Sequence, residues 1–114
     1  MVEIPYVPDR GDLVWIDFDP QAGHEQAGRR PGLVVSPALY NGRRGLAVFC
    51  PITSRHKGYP FEVHIPEGPA IQGVVLSDQL KSLDWRARRT EHAGILPKDA
   101  LNEVLARILT LVGR

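Results

Sequence analysis

A β-strand is predicted by the stretch DLVWIDF at residues 12–18. β-branched and aromatic residues dominate this stretch, and Val14, Ile16 and Phe18 alternate along it, so they share one face of the strand. A glycine precedes the strand, and a loop containing two further glycines follows it as far as Pro31. The alternation indicates a strand that packs one face on a core and starts a sheet.

Further strands are predicted along the next seventy residues. The first of them, residues 32–36 (GLVVS), is short and apolar, which indicates burial on both faces. A short helical turn or a plain turn follows at residues 38–42, after Pro37. Other strands or strand segments are predicted at residues 46–52, 61–65, 73–76 and 79–85.

An amphipathic helix of roughly four turns is predicted at the end of the chain. Its apolar residues recur at three- and four-residue spacing and should face the core: Leu101, Val104, Leu105, Ile108, Leu111 and Val112. Pro97 suits the first turn, and Gly113 suits the C-terminal cap. Several strands closed by one helix predict a mainly β protein with α structure, built as one domain over residues 1–114. A small, strongly bent sheet or barrel with the helix packed on it accommodates these elements.

The composition excludes several classes of protein. The 114 residues are 43% hydrophobic and 24% charged, which is ordinary for a globular domain. Cys50 is the single cysteine and lies in an apolar run, which favours a small buried side chain over a nucleophile. The N-terminus lacks a signal-peptide pattern, and no apolar stretch is long enough to span a membrane. A cytoplasmic location is therefore expected.

Charge is unevenly distributed along the chain. Residues 1–25 carry six acids and one base, whereas residues 26–61 carry six bases and no acid. A cationic segment in a chain of net charge +1 suggests a focused site for a polyanion, provided that the bases converge in the fold.

Common catalytic motifs are missing from the sequence. The four histidines do not pair at helical spacing, there is no C-x-x-C run, and no metal site is expected. Neither a phosphate-binding glycine loop nor a G-x-S-x-G elbow is present. What remains is arginine and hydroxyl chemistry on loops. Arginine matches phosphate oxygens with its planar fork, and a threonine hydroxyl can donate to the same oxygens.

Five stretches resemble the MazF/PemK toxin family in the family's own order. They are GDLVWIDFDP at 11–20, EQAGRRP at 25–31 with LVVS at 33–36, PITS at 51–54, GYPFEV at 58–63 and SDQLKSLDWR at 77–86. The sequence YVPD at residues 6–9 is most similar to the MazF branch. The resemblance covers nearly the whole chain, from about residue 6 to residue 112.

The resemblance implies a fold, an activity and partners. The fold is an SH3-like β-barrel or bent antiparallel sheet with a C-terminal helix, assembled as a homodimer. The activity is metal-independent cleavage of single-stranded RNA, without a cofactor, and the inhibitor is a cognate antitoxin. Because the loops of this chain are basic, the antitoxin is expected to carry an acidic, flexible segment. The family's catalytic arginine and threonine correspond to Arg30 and Thr53, and Glu25 matches the loop acid associated with them.

Seven further residues are expected to bind RNA, because they accompany the catalytic pair in the basic loops or on the neighbouring strands: Arg29, Ser54, Arg55, Lys57, Phe61, Gln79 and Lys81. Structural alternatives exist for the main candidates. Arg30 could instead pair with an early acid such as Asp17, and Thr53 could cap a turn. Trp15 and Trp85 are expected in the core or a dimer interface rather than under RNA bases.

Two binding functions compete with the ribonuclease. A CcdB-like toxin, which binds DNA gyrase without cutting nucleic acid, shares the architecture. That family relies on a C-terminal tryptophan, whereas this chain ends in LVGR. An SH3-like peptide adaptor would need an aromatic groove, and aromatic residues make up only 7% of the chain.

Overall fold

The computed structural model describes residues 5–18 and 28–113. In those residues the elements follow the order β1 (Asp12–Asp17), β2 (Arg29–Val34), α1 (Ala38–Arg44), β3 (Leu46–Thr53), β4 (Glu62–His64), β5 (Val74–Leu76), β6 (Lys81–Asp84), β7 (Glu91–Ile95) and α2 (Lys98–Val112). The expected class, mainly β with a C-terminal helix, is confirmed.

All strand pairs form one bent antiparallel sheet. The strand order is β4-β5-β3-β2-β1-β7, and β6 pairs with β3 beside this path. Strand β3 pairs with three other strands. Phe49 is paired with Val34 of β2 on one side and with Lys81 of β6 on the other, and Thr53 is paired with Val74 of β5. The end strands β4 and β7 do not pair with each other, so the sheet is open among the described strands.

Alternation along the central strands produces two apolar layers. On one face, Leu13, Leu33 and Cys50 join the buried side chains of α2 in the larger layer. On the other face, Val14 and Ile16 pack with a smaller layer that contains Val34, Ala47, Phe49 and Trp85. Residues 32–36 are buried on both faces, as predicted.

Helix α2 matches its prediction except in the last turn. Pro97 is the N-cap residue, and Gly113 is the C-cap residue, whose N–H donates to the Leu109 carbonyl. Val104 and Ile108 are buried as expected. The expectation that the stripe faces the core to its end is wrong, because Leu111 and Val112 are 47% and 68% exposed. The described part of this chain leaves these two side chains uncovered.

Three elements differ in extent from their sequence predictions. Strand β2 begins at Arg29 rather than at residue 32. Of the two alternatives for residues 38–42 the helical one is observed, as helix α1, which extends to Arg44 and has Gly45 as its C-cap. Strand β7 was not predicted. It pairs with β1, yet all five of its residues keep at least partial exposure, so it lacks an apolar alternation.

Cys50 is fully buried, and burial raises the pKa of its thiol to about 12, with the Asp78 charge adding to the effect. This confirms the expectation of a small apolar side chain over a nucleophile. Over the residues that the structure describes, neither helix has the length and hydropathy needed to cross a membrane.

Candidate active site

Arg30 and Thr53 come together because their strands are paired. Strand β2 pairs with β3 in the register Gly32–Pro51. Continued by two residues, this register places Arg30 across from Thr53. Since side chains alternate along strands, both then project from the same face of the sheet. Both side chains line one cavity of about 390 Å³, together with Trp15, Ser54 and Arg55.

Two further cavities extend this one into a groove. The second measures about 180 Å³ and shares Thr53 and Arg55 with the first. The third measures about 400 Å³, shares Arg30 with the first and shares Gln79 with the second. The three cavities meet at these shared lining residues around Arg30 and Thr53, and together they are referred to below as the Arg30 groove.

The Arg30 groove is strongly cationic. Four bases line it: Arg30, Arg55, Lys57 and Lys81. Among the described lining residues the one carboxylate is Glu62, whose side chain is only 3% exposed. Of the six bases in residues 26–61, three therefore converge, Arg30, Arg55 and Lys57, and Lys81 joins them from β6. Such a cluster is the arrangement that a polyanion requires.

Glu62 holds the second basic loop in place. Its carboxylate accepts backbone N–H bonds from Lys57 and Gly58, at 2.9–3.2 Å, and contacts the His56 ring at 3.0 Å. Burial alone would raise the pKa of Glu62, but these donors outweigh it, so the pKa is lowered below its usual range. The ionised carboxylate thus fixes the loop that presents Lys57 to the groove.

Thr53 caps a turn and also lines the groove. Its Oγ1 accepts a hydrogen bond from the Arg55 backbone N–H at 3.1 Å, which is the turn-capping contact anticipated from the sequence. A hydroxyl oxygen that accepts here keeps its own hydrogen for donation. The capping bond therefore orients the hydroxyl without using up its donor capacity.

Arg29 and Arg30 lie on opposite faces of β2. Arg29 donates to Asp17 at 3.2 Å, to Glu91 at 2.9 Å and to the Arg89 carbonyl at 2.9 Å. The ion pair with Asp17 that was considered for Arg30 is thus made by Arg29. Among the described residues, Arg30 makes no such bond and is exposed in the groove. Arg29 was expected to bind RNA, but its contacts are those of a structural residue.

Asp17 is the centre of the network that holds Arg29. The hydrogen bond from Arg89 lowers the pKa of Asp17; burial opposes this shift, and Arg29 adds to it. The neighbouring Arg88 donates to the carbonyls of Asp17 and Phe18 at 3.1 and 2.7 Å. This network ties the turn before β7 to the end of β1, at the point where the first loop begins.

The structure gathers most of the predicted site residues. Besides Arg30 and Thr53, the groove is lined by five residues that were expected to bind RNA: Ser54, Arg55, Lys57, Gln79 and Lys81. Phe61 does not line these cavities; it is half-buried, and its carbonyl accepts from Ser77. Glu25 lies outside the described residues.

Some groove residues were not predicted from the sequence. Trp15 is 39% exposed and lines the first cavity, so it is not a core residue, whereas Trp85 is buried as expected. The loop between β4 and β5 supplies Ala70, Ile71 and Gln72 to the same cavity. The alternation of β1 could have indicated that Trp15 faces away from the core, since it lies between Val14 and Ile16. No local sequence pattern indicates that the loop between β4 and β5 reaches the groove.

Comparison with known proteins agrees with this geometry. The family described as PemK-like, MazF-like toxin of type II toxin-antitoxin system matches residues 9–112. The chain belongs to this toxin family. It is similar to the endoribonuclease toxin MazF of Escherichia coli strain K12, with 48% identity over 108 residues, covering 95% of this chain and 96% of the relative.

Solved structures give the same result. MazF from Deinococcus radiodurans in its crystal form I superposes with a TM-score of 0.87 at 57% identity, covering 96% of this chain and 100% of that one. The MazE–MazF complex from the same organism, in form II, gives a TM-score of 0.85 at 51% identity, covering 96% and 98%. The expected class, a mainly β antiparallel sheet with a C-terminal helix, is therefore confirmed, although the described sheet is not closed into a barrel.

Proposed function

We propose that the Arg30 groove is the active site at which this toxin cleaves single-stranded RNA without a metal ion. The chain is a MazF-like endoribonuclease toxin of a toxin–antitoxin system, as its family and its relatives are. The observation that supports the site is the placement of Arg30 and Thr53 in one cavity of a cationic groove.

The chemistry requires little beyond this pair. RNA carries its own nucleophile, so the 2′-oxygen forms a bond to phosphorus, and the bond from phosphorus to the 5′-oxygen breaks. The 2′-hydroxyl loses its proton, the departing 5′-oxygen gains one, and the products are a 2′,3′-cyclic phosphate and a 5′-hydroxyl. Arg30 stabilises the charge that develops on the phosphorane, and Thr53 donates a hydrogen bond to one of its oxygens. Glu25 is retained as a catalytic carboxylate on the family resemblance alone.

The rest of the groove holds the strand. Arg55, Lys57 and Lys81 supply charge for the phosphates. Ser54 and Gln79 offer hydrogen-bonding groups to the edges of unstacked bases, which are accessible only in single-stranded RNA. Binding is therefore sensitive to salt, while sequence preference depends on the neutral polar side chains.

Two partners accompany this function. A cognate antitoxin carrying an acidic flexible segment would occupy the cationic groove, as the MazE–MazF complexes of a relative suggest. A second copy of the chain would form a homodimer, and the exposed apolar side chains at the end of α2, Leu109, Leu111 and Val112, support an interface with another protein surface. A cytoplasmic location fits an enzyme that acts on messenger RNA.

Chelation of metal ions tests the proposed activity. The purified protein should cleave single-stranded RNA in excess EDTA at the rate seen without EDTA, because Arg30 supplies the positive charge. The Arg30→Ala protein, purified in the same way, controls for contaminating nuclease. Loss of cleavage in EDTA, restored by Mg²⁺, would contradict the mechanism. Absence of cleavage both with and without EDTA would favour a binding toxin such as the CcdB-like alternative.

A further inference from the structure

The β4–β5 loop contains a glycine that touches the backbone of Thr53. Gly73 ends this loop with φ +124°, just before Val74 pairs with Thr53. A Cβ atom built on Gly73 would lie 2.4 Å from the Thr53 carbonyl oxygen and 3.0 Å from its carbonyl carbon. Such separations are far below van der Waals contact, so no other residue fits here without moving Thr53 or the loop.

Both sides of this contact are held in place. The Gly73 carbonyl accepts the Ile65 backbone N–H at 3.0 Å, which ties the glycine to the end of β4. Within the loop, the Gln72 side-chain amide donates to the carbonyls of Pro66 and Pro69 at 3.3 and 2.9 Å. The loop is therefore braced, and a side chain at Gly73 would act on the end of β3 as well as on the loop.

We propose that Gly73 is a positioning residue for Thr53: the absence of its side chain lets the β4–β5 loop close against β3 and fix the Thr53 hydroxyl in the groove. The inference rests on the proposed catalytic role of Thr53. Gly73 itself has no group to contribute to the chemistry, and it acts through the backbone of the residue that does.

The geometry sets the size of the effect. Ordinary contact begins near 3.4 Å, so an alanine methyl at 2.4 Å from the Thr53 oxygen requires a displacement of about 1 Å. A misplacement of about 1 Å can cost ~10²-fold in rate. We therefore expect Gly73→Ala to lower kcat about 100-fold. RNA binding should change little, because the three atoms nearest to a Cβ at Gly73 belong to the backbone of Thr53 and Ser54 and not to a basic side chain of the groove.

Gly68 provides a matched control in the same loop. Its φ is +129°, close to that of Gly73, but nothing lies within 4 Å of a Cβ atom at this position. Gly68→Ala therefore imposes the same backbone strain without touching Thr53. The Gly68→Ala protein should cleave RNA at close to the wild-type rate.

The test is a double-mutant cycle on single-turnover cleavage. Four variants are compared with wild type: Gly73→Ala, Gly68→Ala, Thr53→Ala and the Gly73→Ala/Thr53→Ala double variant. If Gly73 acts through the Thr53 hydroxyl, the double variant should be no slower than Thr53→Ala by more than about threefold, because no hydroxyl remains to misplace. Affinity for RNA with a 2′-deoxy nucleotide at the cut, measured in parallel, should stay close to wild type in Gly73→Ala.

Each contrary outcome has a distinct meaning. Equal cleavage rates for Gly73→Ala and Gly68→Ala would overturn the positioning role. A double variant that cleaves slower than Thr53→Ala by the whole factor lost in Gly73→Ala alone would overturn it as well. Thermal melting separates folding from positioning: an unfolded Gly73→Ala protein beside a folded Gly68→Ala protein would also overturn the proposal, because the contact would then support the whole fold. Wild-type cleavage by Thr53→Ala would instead overturn the proposed role of Thr53, and the inference with it.

Discussion

Replacement of Arg29 and Arg30 by alanine, one at a time, should give opposite results although the two residues are adjacent. Arg30→Ala removes the charge that stabilises the phosphorane, and loss of one such donor costs ~10²–10³ in rate, or about 3–4 kcal/mol of transition-state stabilisation. Its thermal stability should stay within about 0.5 kcal/mol of wild type, because the side chain is exposed.

Arg29→Ala should instead destabilise the fold. It removes an ion pair with Asp17, a hydrogen bond to the Arg89 carbonyl and a contact with Glu91, which is 69% exposed. Solvent screening makes the ion pair between Arg29 and Glu91 weak. Asp17 also keeps its second ion pair, with Arg89 at 2.8 Å, so its carboxylate is not left without a partner. Together these losses should lower the free energy of unfolding by about 1–2 kcal/mol, which corresponds to a drop in Tm of about 4–8 °C in a domain of this size. Its kcat should remain within about threefold of wild type.

Single-turnover cleavage and thermal melting of the two variants provide the measurement. Arg43→Ala, on α1 and away from the groove, controls for the loss of one positive charge. If Arg29→Ala abolished turnover while Arg30→Ala cleaved normally, the assignment of the catalytic role to Arg30 and of the structural role to Arg29 would be wrong. If Arg29→Ala weakened RNA binding without loss of stability, the result would support the expected RNA-binding role of Arg29 and contradict the structural role.

Three further predictions concern stability and inhibition. Since the pKa of Glu62 is lowered in the fold, its contribution is present above the unfolded value of about 4.3 and is lost as pH falls through the folded value. Acid titration of stability should therefore be flatter for Glu62→Gln than for wild type, with the exposed Glu67→Gln as control; equal profiles would argue against this anchor. Trp85→Ala should cost about 3–5 kcal/mol, because the ring is 4% exposed and its Nε1 donates to the Asn41 carbonyl; a melting shift under 1 °C would contradict the packing. An acidic antitoxin segment should displace RNA from the toxin. The affinity of the segment for the toxin should fall steeply as salt is raised, and it should be lower for the Arg55→Ala toxin. Full inhibition of cleavage with RNA still bound would place the antitoxin outside the groove.

The sequence predicted the parts of the fold whose apolar pattern is local. Alternation in β1 and the continuous apolar run of β2 identified central strands, and three- and four-residue spacing identified α2. Strand β7 was missed because it is exposed on at least one side along its whole length, so its sequence, EHAGI, carries no alternation. The last turn of α2 was misjudged because periodicity cannot reveal what covers a helix face.

Some features of the candidate site could likewise be predicted from the sequence, and others could not. Arg30 and Thr53 were found by resemblance, and the pairing of β2 with β3 explains why they meet. The opposite orientations of Arg29 and Arg30 follow from two-residue periodicity, but only once β2 is known to begin at Arg29. The contact of Gly73 with Thr53 joins residues twenty positions apart, and no local pattern encodes it.

Cleavage of an RNA with one altered sugar tests the central claim most directly. Two substrates are compared in EDTA, identical except for a 2′-deoxy nucleotide immediately before the cut. The mechanism uses the 2′-hydroxyl as nucleophile and Arg30 and Thr53 as stabilising groups, so the unmodified RNA should yield a 2′,3′-cyclic phosphate and a 5′-hydroxyl. The 2′-deoxy RNA should bind with similar affinity and remain intact. Efficient cutting of the 2′-deoxy RNA at the same position would contradict this account.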